Sequence, residues 1–407
     1  MRDRLLIFSS AGLRATAVGL SGVLLALHLA RLGLNAAAVG LAISLGLAGC
    51  AAGTFLVTYA ADRFGRRRTL ALLAWFMAAG GVALAWLQQP SLIMVSLVVG
   101  MVNGMGRDRG AGLTVEQAML PKTTSEQGRT GIFAWYNLTV DAGHAIGSLL
   151  AGLPALLRGQ FGCSSLTSYQ WTWWLYSACC VVAGLLALRL SQAVEMSDAP
   201  RLRSLSPASR AVVARFAALS GLDSFGGGFL TTALLSYWFF RRFGVDEAFL
   251  GPLFFVVRIF NGLSHLGAAW LARRIGLVNT MVWTHLPSSL LLMTVPFAPN
   301  LPVAIALFLL REGLVEMDVP TRQSYLMAMV RDEERTRAAG LSNLTRSVAW
   351  AVAPAAAGSL MGALSLSAPL LIGPSLKIAY DLLLYRAFRH VKPPEERHTR
   401  WSPRSPS

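Results

Sequence analysis

Runs of Leu, Ala, Val, Gly and Ile follow one another along this chain, separated by short polar breaks. A helix needs about 20 mainly apolar residues to cross the hydrocarbon core of a bilayer. Scanning at that width gives twelve spans, centred near residues 20, 48, 78, 105, 145, 180, 228, 260, 287, 312, 350 and 376. The connections are short except at 191–210, SQAVEMSDAPRLRSLSPASR, which is polar and contains Pro200 and Pro207. The pattern predicts an all-α polytopic membrane protein. Residues 1–190 form a first six-helix bundle, 191–210 a cytoplasmic linker, 211–390 a second six-helix bundle, and 391–407 a disordered cytoplasmic tail. The opening residues MRDRLLIFSS lack a small-residue cleavage site and are read as leading into the first span.

Composition agrees with the pattern. The chain of 407 residues is 54% hydrophobic and 14% charged, against roughly 25% charged in soluble domains. A net charge of +16 would suggest nucleic acid in a soluble protein, so the position of the basic residues decides its meaning. With the amino terminus inside, the inner loops and tails hold 24 of the 36 Lys and Arg residues. The outer connections hold four (Arg31, Arg158, Arg241, Arg242), and eight lie within spans. This asymmetry predicts cytoplasmic termini and an inner (plasma) membrane location. The charge is dispersed and not interleaved with aromatics, which excludes nucleic acid as a partner. Cys50, Cys163, Cys179 and Cys180 have no metal-ligand spacing, so neither metal nor cofactor is expected. No HExxH, GxSxG or P-loop pattern points to an enzyme or a nucleotide-driven pump.

The two halves repeat. RLGLNAAAVG from Arg31 aligns with RFGVDEAFLG from Arg242, and the same register sets Arg63-Phe64-Gly65 on Arg274-Ile275-Gly276. Further on, Gln117 matches Gln323, Arg129-Thr130 matches Arg335-Thr336, and the NLT at Asn137 matches the NLT at Asn343. Halves repeated in one orientation suggest a pseudo-two-fold axis along the membrane normal, with a cavity between them.

These residues resemble the major facilitator superfamily of secondary transporters. DRFGRRR, residues 62–68, is similar to the family's loop between spans two and three, and ARRIGL, 272–277, to its weaker second copy. The loop departs from the family pattern at Thr58, where glycine is usual. The resemblance implies the superfamily fold, twelve transmembrane helices in two pseudo-symmetric bundles, and alternating access. It also implies a gating loop of Asp62, Arg63, Gly65, Arg66 and Arg67, with Arg274 and Gly276 as its second copy. The partners expected are a small-molecule substrate, protons and the lipid bilayer, with the chain acting as a monomer. GHAIGSLLAG in span five is similar to a glycine run of the family's proton-driven exporters, with Ser148 where proline stands. Close packing of small residues is the alternative reading of that run. Export of a small organic solute is therefore expected. Uptake of an organic anion is the alternative, and a ligand sensor that does not transport is a rival of another class.

Ionisable groups at membrane depth are costly and mark cavities, pairs or ion routes. Asp141, Asp223 and Glu116 are the candidates for proton coupling, because a carboxylate's proton affinity shifts with burial and with neighbouring charge. Arg14, His144, Arg258, Asn261, His265 and Arg346 lie on spans that line the family's cavity and are the candidates for substrate contact. Arg109, Arg311, Asp318 and Arg322 form a charge network on spans four and ten, where Glu116 and Arg322 could pair. Lys377 and Asp381, four residues apart, read as a local ion pair. Gly12-Leu13-Arg14 aligns with Gly221-Leu222-Asp223, so the repeat exchanges a base for an acid. Glycines 226–228 would let the backbone of span seven bend or pack closely. His28 and His285 are given no role.

Overall fold

The computed structural model describes residues 2–108, 110–124, 129–195, 206–318, 321–322, 325–326, 329–331 and 334–389, and the regular structure among them is helical. Spans one to three form α1 (Arg2–Arg31), α2 (Ala36–Phe64) and α3 (Arg66–Trp86). Span four forms two short helices, α4 (Pro90–Val99) and α5 (Ala111–Met119). Span five is α6 (Arg129–Leu150), followed by a short α7 (Leu153–Phe161) and by span six as α8 (Ser165–Leu188). Span seven is again two helices, α9 (Pro207–Gly228) and α10 (Thr232–Phe243). Spans eight to twelve are α11 (Glu247–Ile275), α12 (Leu277–Thr294), α13 (Leu301–Val315), α14 (Arg335–Ala363) and α15 (Ala368–Phe388).

Local chemistry sets the boundaries. Asn35, Ser164, Thr231 and Asn300 each accept a backbone N–H three residues on, which caps α2, α8, α10 and α13. Gly65 and Gly276 divide α2 from α3 and α11 from α12 at φ 89° and 87°, a region that favours glycine. The repeat therefore preserves the turn as well as the letters. Among the described residues, six helices alone have the length and hydropathy to cross a bilayer. Large apolar side chains such as Leu72, Trp75, Trp135 and Trp171 stand exposed on α3, α6 and α8, as lipid-facing surface requires.

Span four corrects the sequence reading, which makes it one helix. In the stretch GMVNGMGRDRG, residues 100–108 and 110 leave the helix between α4 and α5. Four glycines lower the helical preference, and Met101 and Gly106 take φ of 48° and 72°. Span ten shows a matching feature. After α13, Glu316 and Met317 form a turn before Asp318, at the position the repeat pairs with Gly110. Span seven breaks where glycines 226–228 were expected to bend it.

Contacts divide the chain into two units. The first takes Met1–Pro200, Phe225–Ile259 and Ser347–Gly373; the second takes Arg201–Ser224, Phe260–Arg346 and Pro374–Ser407. The division cuts α9, α11, α14 and α15 partway along their lengths. In the first unit α1 packs closely on α6 through glycine. A Cβ on Gly19 would stand 2.2 Å from the His144 carbonyl oxygen, and one on Gly147 would stand 2.0 Å from that of Thr16. The same device joins α2 to α14, where a Cβ on Gly40 would meet the Pro354 oxygen at 2.4 Å. Ser44 completes that seam by accepting the Ala355 N–H at 2.8 Å, a donor that lies just beyond Pro354. In the second unit Phe216, Tyr325 and Phe388 form an aromatic core with Met281 and Tyr380.

Candidate functional site

In the first unit the polar centre is Arg14 on α1. Its guanidinium pairs with Asp108, in the break of span four, and with Glu116 on α5. Tyr136 on α6 donates to Glu116 Oε2 at 2.6 Å. Glu116 has no exposed surface, and its Oε1 has no hydrogen-bond partner among the described residues. The Asp108 N–H donates to His144 Nε2 at 2.9 Å, so that ring nitrogen is unprotonated here. His144 Nδ1 lies 4.0 Å from the half-exposed Asp141 carboxylate. A cavity of about 30 Å³, lined by Arg14, Cys50, Met77, Met101, Asn103 and Asp108, adjoins the cluster and has room for a water or two.

Backbone that leaves a helix inside a membrane needs other hydrogen-bond partners. Here side chains supply them. Cys50, Ser21 and Asn103 donate to the carbonyls of Met101, Asn103 and Arg107. The three carbonyls between are met from α10 and α11. The Ala233 N–H reaches Gly104 O at 3.1 Å, Thr232 Oγ1 reaches Met105 O at 2.9 Å, and Arg258 Nη2 reaches Gly106 O at 2.8 Å. Arg258 also donates to Thr232 Oγ1 at 3.1 Å.

The second unit has Asp223 of α9 at its centre. Lys377 Nζ lies 2.6 Å from Asp223 Oδ1, and Arg322 Nη1 lies 2.8 Å from Oδ2. Arg322 also reaches Asp318 at 2.9 Å. Lys377 donates to His285 Nε2 at 3.1 Å, and His285 Nδ1 stands 2.9 Å from Asp381 Oδ1. Lysine only donates, so the ring proton belongs on Nδ1, directed at Asp381. Around this cluster Arg346 donates to Ser224 at 2.9 Å, Asn261 donates to Glu312 Oε2 at 2.7 Å, and Arg311 pairs with Glu312.

Several expectations are revised by these contacts. Lys377 and Asp381 are not simply a local pair, because one reaches Asp223 and the other His285. Glu116 is engaged by Arg14 and Tyr136, while Arg322 is engaged by Asp223 and Asp318. Arg109 and Gln323 lie outside the described residues, as do the side chains of Asp62, Arg63 and His265. His285, given no role by the sequence, bridges two charged groups. Its partners come from spans seven and twelve, so no local spacing could have revealed them.

The loop around Gly65 is tied within the first unit. Glu195 accepts the N–H groups of Arg66 and Arg67 at 2.6 and 3.2 Å, placing a carboxylate on the positive end of α3. The Arg66 side chain reaches Ala118 O at 3.0 Å and Arg67 reaches Leu188 O at 2.7 Å, so two arginines fasten the ends of α5 and α8 to α3. In the second copy Arg274 stacks over the Trp270 ring at 4.5 Å.

At the opposite end of α1 stands a residue the sequence reading missed. Glu247, fully buried at the start of α11, meets Arg158 Nη2 at 2.5 Å, Arg31 Nη2 at 3.2 Å and Tyr169 Oη at 3.2 Å. The repeat holds its signal, because Glu247 aligns with Ala36 and is an acid among the basic residues of that face.

Comparison with known proteins places this arrangement. The sequence pattern of the Major Facilitator Superfamily matches residues 7–310 and, overlapping them, 216–406. An uncharacterized membrane protein of Saccharomyces cerevisiae is 26% identical over 424 residues, covering 96% of this chain and 95% of the relative. A D-xylose-proton symporter superposes with a TM-score of 0.74 at 15% identity, over 94% of this chain and 96% of that one. The nucleoside transporter NupG superposes at 0.73 with 13% identity, over 96% and 100%. Those two likenesses establish the fold, and the family match extends over both halves of the sequence. The chain belongs to the Major Facilitator Superfamily and is a membrane transporter of that type.

Proposed function

We propose that the protein is a proton-coupled secondary transporter of a small organic solute. It works as a monomer in the inner (plasma) membrane with both termini cytoplasmic, and residues 1–190 and 211–390 rock against each other. The observation that carries the coupling is the Arg14 cluster. One guanidinium serves both Asp108 and Glu116, and Glu116 keeps a buried oxygen without a partner among the described residues. An ionised carboxylate with an orphaned buried oxygen is costly, whereas a carboxyl that holds a proton relieves the charge and shares one guanidinium with Asp108 at less cost. Glu116 is thus the proton carrier of the first unit, and Asp223, held between Lys377 and Arg322, is the group whose pairing changes in the second. Asp141 is half exposed and has a smaller part in this reading.

The α6 glycines are occupied by contact with α1, which supports packing as their task and leaves direction to experiment. Arg14 and Arg258 are matched by carboxylates and carbonyls respectively, and Arg346 donates to Ser224. Proteoliposomes with an imposed pH gradient and a solute panel test the reading. Wild type should show gradient-driven flux with accompanying proton movement, and Glu116→Gln should retain solute exchange while losing the proton dependence. Flux in that variant that still follows the pH gradient overturns the assignment.

A further inference from the structure

The break in span four separates its carbonyls into two classes. Those of Met101, Asn103 and Arg107 receive donors from α1, α2 and the break itself. Among the described residues, those of Gly104, Met105 and Gly106 receive theirs from α10 and α11, in the repeat's second half. If the halves part at this level, these three consecutive carbonyls lose all the donors described here together. Three backbone oxygens in unwound chain at membrane depth are an acceptor set suited to a cation. The structure brings a cation to one of the three, the Arg258 guanidinium at Gly106 O, while the Ala233 N–H and the Thr232 hydroxyl hold Gly104 O and Met105 O.

The fit at Gly106 is tight. A Cβ there would stand 2.9 Å from Arg258 Nη2 and 2.8 Å from Thr232 Oγ1, at a φ of 72° that already favours glycine. The contact therefore depends on bare backbone, as direct cation coordination by carbonyls does.

We propose that the carbonyls of Gly104, Met105 and Gly106 form a cation-binding site. Arg258 occupies its Gly106 end in this conformation as a tethered ligand. A monovalent cation, either an alkali ion or an ammonium group, takes its place when α10 and α11 withdraw. The exchange couples cation binding to opening of the seam. It rests on the alternating-access reading above and adds the class of ligand that competes with Arg258.

The test removes the tethered cation and leaves the carbonyls in place. Purified full-length Arg258→Ala is titrated with methylguanidinium, methylammonium, Na⁺ and K⁺ at constant ionic strength, and its thermal unfolding midpoint is recorded. One or more of these cations should raise the midpoint saturably, by about 2 °C at tenfold excess over its Kd. The organic and alkali arms identify the source. Wild type, with Arg258 in place, should respond at least tenfold less sensitively. Arg258→Lys, which keeps a tethered charge, covers the case in which the alanine variant fails to fold. It should unfold near the wild-type midpoint and be insensitive to added cations. A flat response of a folded Arg258→Ala to all four probes overturns the proposal. This measurement is made without transport, so its failure is distinct from absence of proton-driven flux.

Discussion

Glu247→Gln should open the end of the molecule at which α1 finishes. The carboxylate is fully buried and holds Arg158 at 2.5 Å, Arg31 at 3.2 Å and the Tyr169 hydroxyl at 3.2 Å. Hydrogen bonds to a charged group contribute about 1.5–3 kcal/mol each. The two arginine side chains retain 23% and 31% of their exposure, so solvent screening reduces the total. Glutamine keeps one acceptor oxygen, which leaves a net loss of about 2–3 kcal/mol. If the clamp forms only when this end is closed, the open population rises roughly 30- to 150-fold, at 1.4 kcal/mol per factor of ten. The reporter is Ser44→Cys in a background with its four cysteines replaced by serine. Ser44 is 6% exposed and sits in the seam of α2 and α14, beside Ala355. Labelling by a membrane-impermeant maleimide, applied from the outer side of oriented vesicles, should accelerate by about that factor. A rate within threefold of the parent, in protein with an unchanged melting midpoint, refutes the clamp as the gate.

Gly65→Ala and Gly276→Ala should each lower the unfolding midpoint, because φ near 89° and 87° costs a residue with a Cβ about 1–2 kcal/mol. Gly159→Ala, in the helix α7 with nothing within 4 Å of its new Cβ, should not lower it, and equal losses at all three sites would discount the turn argument. Glu334, ahead of α14, is pushed down to about 2 by hydrogen bonds from the Ser209 hydroxyl and the Ser206 N–H. Its folded value lies below the unfolded one of about 4.3, so its contribution to stability is present above that pH and is lost as pH falls toward about 2. Melting curves between about pH 5 and 3 should therefore show a slope that Glu334→Gln reduces, and an identical slope in the variant would count against the bond.

Hydropathy made the spans legible because a bilayer demands long apolar stretches whatever the packing. It misread span four for the same reason. Gly100, Met101, Val102, Gly104 and Met105 score as apolar or small, yet this composition tolerates unwound backbone when donors arrive from elsewhere. Those donors, Ser21, Cys50, Thr232, Ala233 and Arg258, come from four other helices and form no sequence pattern. Glu247 escaped notice because the outer connections were read for orientation, where acids count little. Arg31 and Arg158, counted as two of four outer charges, are its partners.

The repeat was the most informative single feature, and the exchange of Arg14 for Asp223 shows why. In the first unit a cation sits between two carboxylates, Asp108 and Glu116. In the second a carboxylate sits between two cations, Arg322 and Lys377. Duplication supplied two equivalent buried positions, and opposite charges there require opposite surroundings, because an unmatched ion at membrane depth is not tolerated. The alignment located both centres from one mismatched pair. It could not name the surroundings, since Tyr136, His285 and Asp381 are drawn from helices with no counterpart in that pair. On the proton-coupled reading proposed above, the two halves respond to a proton differently. Protonating Glu116 leaves Arg14 to Asp108, while protonating Asp223 leaves Arg322 to Asp318 and Lys377 to the His285 ring. The first change leaves its cation paired with a carboxylate; the second leaves the Lys377 ammonium facing an imidazole in place of a carboxylate, so on the proton-coupled reading proposed above Asp223 is the position where a proton would drive the larger rearrangement.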